Sequence, residues 1–356
     1  MKTKDILKDK ASYPYYLGKG NINDFKDFFD LGKYKKILIL SDDNVYDIYG
    51  DLLEKTFSNF NYFIYVIEAG EKSKSMDNII KILNYMFERN FTKSDLIISF
   101  GGGVISDMSG FISSIYQRGI EEIKIPTSLL SAVDRTVGGK NGINTSFGKN
   151  QIGTFKDPLG VFLDIDFFKT LEKEIFYEGM AEVIKIAISL DKDFFMEIKN
   201  AKGIYEDEFL LEIIERSVNL KAKIVNMDKF DQGIRHILNF GHTIGHGIEA
   251  KYEGKYFHGQ CVAMGMYMIT AYSEYKGYSK MGTKDILKEV LIENNLPYSI
   301  DLEDIYKYIY KDKKRNSDKI DLAIIEDIGK SEILSIGFKE FIDDFITWEK
   351  QIKGKN

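Results

Sequence analysis

The segment that decides the fold reads Asp-Leu-Ile-Ile-Ser-Phe-Gly-Gly-Gly-Val-Ile-Ser-Asp and occupies residues 95–107. Its first six residues predict a short buried β-strand, and residues 108–116 have the apolar spacing of a helix. Three consecutive glycines let the backbone approach a phosphate closely, and the N-terminus of the following helix offers free N–H donors. The turn lacks the G-x-G-x-x-G spacing of dinucleotide-binding proteins, so a phosphate-binding turn and a simple tight turn are both open.

Short apolar runs alternate with helical stretches on both sides of this segment. Residues 76–89 place their apolar side chains on one face of a helix, as expected of a crossover between parallel strands. The alternation predicts an α/β domain with a largely parallel sheet. The predicted strands are residues 36–40, 62–67, 96–100, 123–125 and 161–165.

From about Leu171 onward the strand patterns almost disappear and helical spacing takes over. A chain of 356 residues also exceeds the length at which a single core usually stops growing, about 250–300 residues. We therefore predict an α/β domain over residues 1–170 and a mainly α-helical domain over residues 171–356. The helices predicted in the second domain are residues 177–190, 209–226 and 239–250.

The composition excludes several classes of protein. A formal net charge of −6 offers no general attraction for nucleic acid or for an anionic membrane. A single cysteine, Cys261, excludes a disulfide framework and a cysteine-rich metal site. The longest uncharged apolar-leaning run, residues 259–273, is shorter than a membrane span of about 20 residues, and residues 1–10 lack the pattern of a secretory signal. We expect a cytoplasmic protein without nucleic-acid or membrane partners.

All four histidines of the chain lie within a window of 23 residues, from His236 to His258. His242 and His246 are four residues apart and would share one face of a helix, and His258 could join them from a later turn. Such a cluster favours a metal site over hydrogen-bonded histidines of the core or the surface.

Glu182 is the candidate carboxylate ligand. It lies on a predicted helix, residues 177–190, among apolar side chains, and burying a carboxylate is costly unless it is paired or bound to a metal. Lys185, three residues further on, offers the alternative that Glu182 forms a simple salt bridge. With two imidazoles, Glu182 would complete a three-ligand zinc site with one position open for substrate.

Glycine-rich turns with spaced cations occupy residues 133–144 and 147–150. A flexible backbone with fixed positive charge suits an anionic ligand, although any single lysine of this lysine-rich chain is more simply a solvated surface residue. Arginine is scarce, which makes Arg118 and Arg235 the better candidates. The cations that could form a local anion site are Arg118, Lys140, Lys149, Lys221, Arg235, Lys313 and Lys314.

Several motifs together resemble the 3-dehydroquinate synthase family of sugar phosphate cyclases. They occur in the family's order and spacing from about residue 36 to residue 330. The resemblance implies an N-terminal Rossmann-like NAD-binding domain, a mainly helical metal-binding domain and a homodimer. The motifs are GGGVISD (101–107), YQRG (116–119), PTSLL (126–130), VD (133–134), VGGK (137–140), GKN (148–150), GMAEVIK (179–185) and LNFGHTIGH (238–246).

The resemblance also implies which residues form each site. The implied metal ligands are Glu182, His242 and His258, with zinc as the expected ion and cobalt as the alternative. The implied catalytic residues are His246, Lys185, Asp134 and Asp231. The implied NAD contacts are Asp43, Asn44, Glu71, Lys72, Ser73, Lys74, Gly102, Gly103, Val104, Asp107, Thr127, Ser128, Lys140, Lys149, Phe167, Phe168, Lys169 and Thr170. The implied substrate contacts are Arg118, Asp134, Lys140, Asn150, Lys185, Lys221, Arg235, Asn239 and Lys313, with Lys314 as the alternative to the last.

The reaction that the resemblance implies converts 3-deoxy-D-arabino-heptulosonate 7-phosphate to 3-dehydroquinate and phosphate, in the shikimate pathway. A ring alcohol is first oxidised with NAD, which acidifies the neighbouring C–H. Phosphate is then eliminated, NADH returns the hydride, and an aldol step closes the new ring. NAD is regenerated within each turnover, so the implied enzyme is a carbon–oxygen lyase.

The chain departs from the family's usual pattern at a few positions. Arg135 and Thr136 stand where the family usually has two small residues, and Asn141 stands where threonine is usual. Asp231 replaces a glutamate, and His236 is an unusual neighbour of Arg235. Three alternatives stay open: a paralogous cyclase acting on another seven-carbon phosphate, a metal-dependent polyol dehydrogenase and a catalytically silent regulator. The cations disfavour the dehydrogenase, because a small neutral alcohol needs none of them.

Overall fold

The computed structural model describes residues 2–4, 13–300, 305–313 and 318–353. The chain divides into two compact units, Met1–Leu171 and Glu172–Asn356. The first unit combines a parallel sheet with helices and the second is mainly helical, which confirms the predicted fold class. Within the part of the chain that is described, no helix is both long and apolar enough to cross a lipid bilayer.

The first unit is built around one large sheet. The strands of the unit, inside and outside this sheet, are β1 (Lys2–Lys4), β2 (Tyr15–Gly18), β3 (Ile37–Asp42), β4 (Tyr62–Ile67), β5 (Leu96–Gly101), β6 (Glu121–Pro126), β7 (Lys140–Thr145), β8 (Gly148–Phe155) and β9 (Gly160–Asp164). Its helices are α1 (Phe25–Phe28), α2 (Asp43–Phe57), α3 (Met76–Glu88) and α4 (Gly103–Ile115).

Seven of these strands pair in the order β1-β2-β9-β6-β5-β3-β4. The edge strand β1 is antiparallel to β2, and the other neighbours run parallel. β7 and β8 form a separate antiparallel ribbon. The five predicted strands are all present, each within two residues of its expected ends.

The central strands and α3 show why this sequence folds as an α/β layer. β3 and β5 are buried almost throughout, as parallel strands covered on both faces must be. Ser75 caps α3 by accepting a hydrogen bond from the backbone N–H of Asn78. The helix then buries Ile79, Ile82 and Met86 in the same core cluster as the sheet, as its periodicity predicts.

The second unit contains most of the helices. Its elements are α5 (Lys173–Leu190), α6 (Lys192–Ala201), α7 (Asp207–Met227), α8 (His242–Lys251), α9 (His258–Lys276), α10 (Thr283–Glu293), α11 (Ile305–Lys313), β10 (Lys319–Asp327), β11 (Lys330–Gly337) and α12 (Phe338–Lys353).

Two features of the second unit differ from the sequence prediction. β10 and β11 form an antiparallel hairpin that was not expected, because its two-residue turn is Ile328-Gly329 rather than a stronger signal such as Asn-Gly. The helix predicted from residue 239 begins only at His242. Gly241 has a φ of 79° there and separates α8 from a 3₁₀ helix, Ile234–Asn239.

Candidate functional site

Glu182 of α5, His242 of α8 and His258 of α9 converge in the second unit, with one ligand atom of each lying within 4.8 Å of the others. Glu182 Oε1 is 3.6 Å from His242 Nε2 and 4.0 Å from His258 Nε2. Ligand atoms around a tetrahedral zinc ion, each about 2.0 Å from the metal, lie about 3.3 Å apart. The spacing therefore suits one small divalent ion.

The carboxylate of Glu182 is almost completely buried, at 1% side-chain exposure, and its two oxygens have different surroundings. Oε2 contacts the ammonium group of Lys185, which is the salt bridge considered as an alternative above. Oε1 has no hydrogen-bond partner among the described residues, although it faces both imidazoles. Leaving a buried carboxylate oxygen without a donor is costly, and a divalent ion bound there would remove that cost. The residues present therefore fit a metal ion.

Both imidazoles are oriented by a second contact. His242 Nδ1 lies 3.3 Å from the carbonyl oxygen of Phe240, and His258 Nδ1 lies 3.4 Å from Glu249 Oε2. An N–H at Nδ1 that donates to such an oxygen leaves the Nε2 lone pair available to a metal. Burial, with further contributions from the charge of Lys185 and the neighbouring histidines, holds the pKa of His242 well below its ordinary value. A neutral imidazole is the form that binds metal.

Glu249 was missed by the sequence analysis. It follows His242 by seven residues and His246 by three, so all three side chains share one face of α8. A carboxylate at that spacing beside candidate metal ligands is the signal that could have identified it, because metal-binding histidines commonly donate their second N–H to a carboxylate.

Two glycines allow the helices of this site to approach one another closely. A Cβ on Gly259 would lie 2.3 Å from the carbonyl oxygen of Glu178, and a Cβ on Gly265 would lie 2.1 Å from that of Gly241. Any side chain at these positions would push α9 away from α5 or from α8. Glycine at these two positions thus lets His258 reach the other two ligands.

The remaining histidines have different positions. The ring of His246 lies 5.3 Å from that of His242 and 6.0 Å from that of His258, measured between centroids. It therefore borders the group formed by Glu182, His242 and His258, called the metal group below. His236 belongs to a different environment: its Nε2 is 3.1 Å from the carbonyl oxygen of Asp231, and its Nδ1 is 3.7 Å from a carboxylate oxygen of Asp321 on β10. Three of the four clustered histidines thus converge.

The predicted substrate-binding residues of the second unit lie on elements that pack against one another. Lys185 and Lys221 are buried on α5 and α7, and Arg235 is buried on the 3₁₀ helix that contacts both. Asn239 ends that helix, whereas Asp231 lies in the loop before it with a φ of 59°. Lys313 ends α11, but its side chain lies outside the described part of the chain, as does Lys314.

Asp228 organises the loop that leads to Arg235, and the sequence analysis did not identify it. Its carboxylate accepts hydrogen bonds from the backbone N–H groups of Gln232, Gly233 and Arg235, at 2.7–3.2 Å. These bonds, led by the one from Gln232, lower the pKa of Asp228. An aspartate a few residues before a glycine, Asp228 before Gly233, was the available sign of a side-chain-capped turn.

In the first unit, most of the predicted NAD contacts follow the carboxyl ends of parallel strands. Those ends lie along one edge of the sheet, which is where α/β proteins usually bind nucleotides. The contacts comprise Asp43 and Asn44 after β3, Glu71, Lys72, Ser73 and Lys74 after β4, Gly102, Gly103, Val104 and Asp107 after β5, Thr127 and Ser128 after β6, and Phe167, Phe168, Lys169 and Thr170 after β9.

A buried ion pair joins two of these segments, and a hydrogen bond from the same lysine reaches the β7–β8 ribbon. Lys74 Nζ lies 2.5 Å from Asp107 Oδ2 and 2.5 Å from Asn150 Oδ1. Asp107 Oδ1 is buried and has no hydrogen-bond partner among the described residues. A buried carboxylate oxygen normally has a hydrogen-bond donor, and a ligand hydroxyl could supply one here. Lys140 and Lys149 lie exposed on the same ribbon.

The structure explains two of the departures from the family pattern. Asn141 is buried, accepts a hydrogen bond from Lys124 Nζ at 2.8 Å and donates to the carbonyl oxygens of Gly139 and Lys156. A threonine could not make all three bonds, so Asn141 matches the buried Lys124. Thr136 is buried as well and donates to the carbonyl oxygen of Ala132. Both are packing changes inside the first unit.

Comparison with solved structures shows the fold. A 2-deoxy-scyllo-inosose synthase complexed with carbaglucose-6-phosphate, NAD+ and Co2+ superimposes with a TM-score of 0.87 at 21% identity, covering 97% of this chain and 99% of that chain. A 2-epi-5-epi-valiolone synthase from Streptomyces hygroscopicus with NAD+ and Zn2+ bound gives 0.86 at 20% identity, covering 96% and 98%. A glycerol dehydrogenase from Schizosaccharomyces pombe gives only 0.61 at 16% identity, covering 96% and 90%.

Comparison of sequences shows the family. Residues 64–178 match the 3-dehydroquinate synthase N-terminal family, and residues 179–315 match its C-terminal counterpart. The 3-dehydroquinate synthase of Clostridium acetobutylicum is 41% identical over 352 residues, covering 96% of this chain and 98% of that protein. That of Helicobacter pylori is 40% identical over 343 residues, covering 94% and 96%. These matches confirm the resemblance seen in the motifs, and the chain belongs to the 3-dehydroquinate synthase family.

Proposed function

We propose that this protein is an NAD- and metal-dependent lyase that converts 3-deoxy-D-arabino-heptulosonate 7-phosphate to 3-dehydroquinate and phosphate. The observation that carries the proposal is the group formed by Glu182, His242 and His258, in a chain about 40% identical to enzymes of that name. A carboxylate with two imidazoles leaves a fourth position around the ion for substrate, which is the arrangement of a catalytic rather than a structural zinc site.

The two bound groups would supply what side chains cannot: the metal would act as a Lewis acid toward oxygen, and the nicotinamide would accept and return a hydride. Glu182, His242 and His258 would hold the metal, and Phe240 and Glu249 would keep the two imidazoles in the required orientation. The sheet edge of the first unit would hold NAD, with Asp107 accepting a ribose hydroxyl.

Buried cations would bind the anionic groups of the substrate. Lys185, Lys221 and Arg235 are 3–6% exposed, and the elements that carry them pack against one another. Three cations on adjoining elements can donate charge-assisted hydrogen bonds to a ligand that has both a carboxylate and a phosphate. A polyol dehydrogenase acting on neutral alcohols gains nothing from such an arrangement, which favours the cyclase reaction.

His246 is our candidate for proton transfer. It lies on α8 one turn after His242, beside the metal group, and histidine changes its protonation state near neutral pH. A proton donor or acceptor at that place can serve the substrate oxygen and carbon atoms nearest the metal. Asp134, Lys140 and Asn150 of the first unit are proposed as further substrate contacts.

The test is an assay of phosphate release from the heptulosonate phosphate. We expect release that requires NAD, stops when a chelator removes the metal, resumes when zinc or cobalt is added, and produces no net NADH. Net NADH with glycerol-like alcohols and no phosphate release would favour a polyol dehydrogenase instead. Release from another seven-carbon phosphate alone would favour a paralogous cyclase, and no turnover with metal restored would favour a silent regulator.

We also propose a homodimer that forms along β8. Among the described strands β8 pairs only with β7, and residues 148–153 are exposed. An open edge strand pairs readily with a second copy, and antiparallel pairing centred on Ile152 would place Lys149 opposite Phe155, so that like charges do not meet.

Light scattering should give twice the mass of one chain, and Ile152→Asp should give monomers. A monomeric parent protein, or a dimeric variant, would contradict this interface.

A further inference from the structure

Arg135 ends the helical turn Ser131–Arg135, and its side chain packs against the start of α4, directly after the three-glycine turn. A Cβ built on Gly103, the first residue of α4, would lie only 3.3 Å from Arg135 Cγ, so the arginine side chain passes close to the start of the helix. Its side chain is 27% exposed and therefore reaches solvent. The family usually has a small residue at this position, and a small side chain is too short to extend to the start of α4.

The guanidinium group of Arg135 balances the charges around the turn. Its Nη1 is 3.8 Å from Asp107 Oδ2, and its Nε is 3.6 Å from Asp134 Oδ2. Both distances exceed the 2.7–2.9 Å of a close charge-assisted pair, so Arg135 is shared between the two carboxylates. With Lys74 the group is neutral, whereas without Arg135 it would carry one net negative charge, which would repel an anionic ligand at the helix start.

We propose that Arg135 binds the pyrophosphate of the dinucleotide at the N-terminus of α4. This inference rests on the proposed function, because it assumes that NAD binds at this edge of the sheet. The unpartnered and buried Asp107 Oδ1 independently calls for a donor from a ligand at the same place. A ribose hydroxyl on Asp107 would bring the adjoining phosphates to the helix start, where Arg135 adds a fixed positive charge to the N–H donors.

The experiment compares the parent protein with Arg135→Ser, which restores a small residue. Calorimetric titration with NAD and with ADP-ribose, which keeps the pyrophosphate but lacks nicotinamide, should show about tenfold weaker binding of both to the variant. Raising the salt from about 50 to about 300 mM should weaken NAD binding more in the parent protein than in the variant. Lys93→Ser, which removes an exposed charge of the same unit, is the matched control and should leave both affinities unchanged.

The outcomes separate this inference from the proposed function. If the parent protein binds NAD and Arg135→Ser binds NAD and ADP-ribose equally well, Arg135 is not a pyrophosphate ligand. A variant that changes only the KM for the sugar phosphate would likewise overturn the inference and assign Arg135 to the positioning of Asp134. If the parent protein binds no NAD, the proposed function itself fails.

Discussion

Glu182→Gln should lower kcat/KM by at least about a thousandfold and leave the purified protein without stoichiometric metal. The substitution keeps the size of the side chain but removes the charge proposed to bind the ion through Oε1, which lies 3.6 Å from His242 Nε2. A Lewis acid supplies several kcal/mol of transition-state stabilisation, and about 4 kcal/mol corresponds to a thousandfold in rate. Elemental analysis of the folded protein, together with phosphate release, measures both effects.

Loss of stability has to be separated from loss of metal in this variant. Lys185 is 4% exposed and contacts Glu182 Oε2, so Glu182→Gln leaves a buried ammonium group without its counter-ion, at a cost of about 3 kcal/mol in the free energy of unfolding. The double variant Glu182→Gln/Lys185→Met removes both charges and should recover most of that stability. It should still bind no metal and release no phosphate.

Glu249→Gln supplies a graded comparison, because it keeps all three proposed ligands and changes only the carboxylate that contacts His258 Nδ1. Its metal affinity, measured by competition with a chelator, should fall by about 10–100-fold. Activity should return when excess metal is added, which Glu182→Gln should not permit. Full metal content and turnover in Glu182→Gln would contradict the assignment of the site.

The architecture of the first unit could be predicted because local and long-range preferences agree there. Residues 95–107 have the apolar run of a doubly covered strand and the glycines of a tight turn before a helix, and both appear as expected. The hairpin of β10 and β11 could not be predicted so readily. Its strands interrupt a long helical region, and the alternation of β10 gives way to a continuous apolar stretch after its first residues.

The residue types of the metal group pointed to its chemistry, but several of its features depend on packing. Glu182 Oε2 contacts Lys185 within α5, whereas the position of Oε1 opposite His258 depends on how closely α5 and α9 approach at Gly259. The role of Asn141 depends on Lys124, which the sequence suggests as a surface lysine and the structure buries completely. Fully buried lysines are rare, so the sequence around Lys124 does not by itself predict that this side chain is buried.

Asp107→Asn should lower the free energy of unfolding by about 3 kcal/mol and weaken NAD binding by about 10–100-fold. Asp107 and Lys74 form an ion pair whose side chains are 4% and 2% exposed, so an amide at residue 107 leaves the ammonium group of Lys74 buried without a compensating charge. The same change weakens the acceptor that Oδ1 offers to a ribose hydroxyl. Urea unfolding and calorimetric titration with NAD measure the two effects.

The double variant Asp107→Asn/Lys74→Met distinguishes these two roles of the carboxylate. Removing the stranded charge should recover most of the stability, because a buried ion pair replaced by uncharged groups of similar size is often neutral in stability. NAD affinity should stay low, since the ribose acceptor is still weakened and Lys74 has also been lost. Recovery of NAD affinity together with stability would show that Asp107 acts only as the counter-ion of Lys74. In that case its unpartnered oxygen would not be a ligand contact.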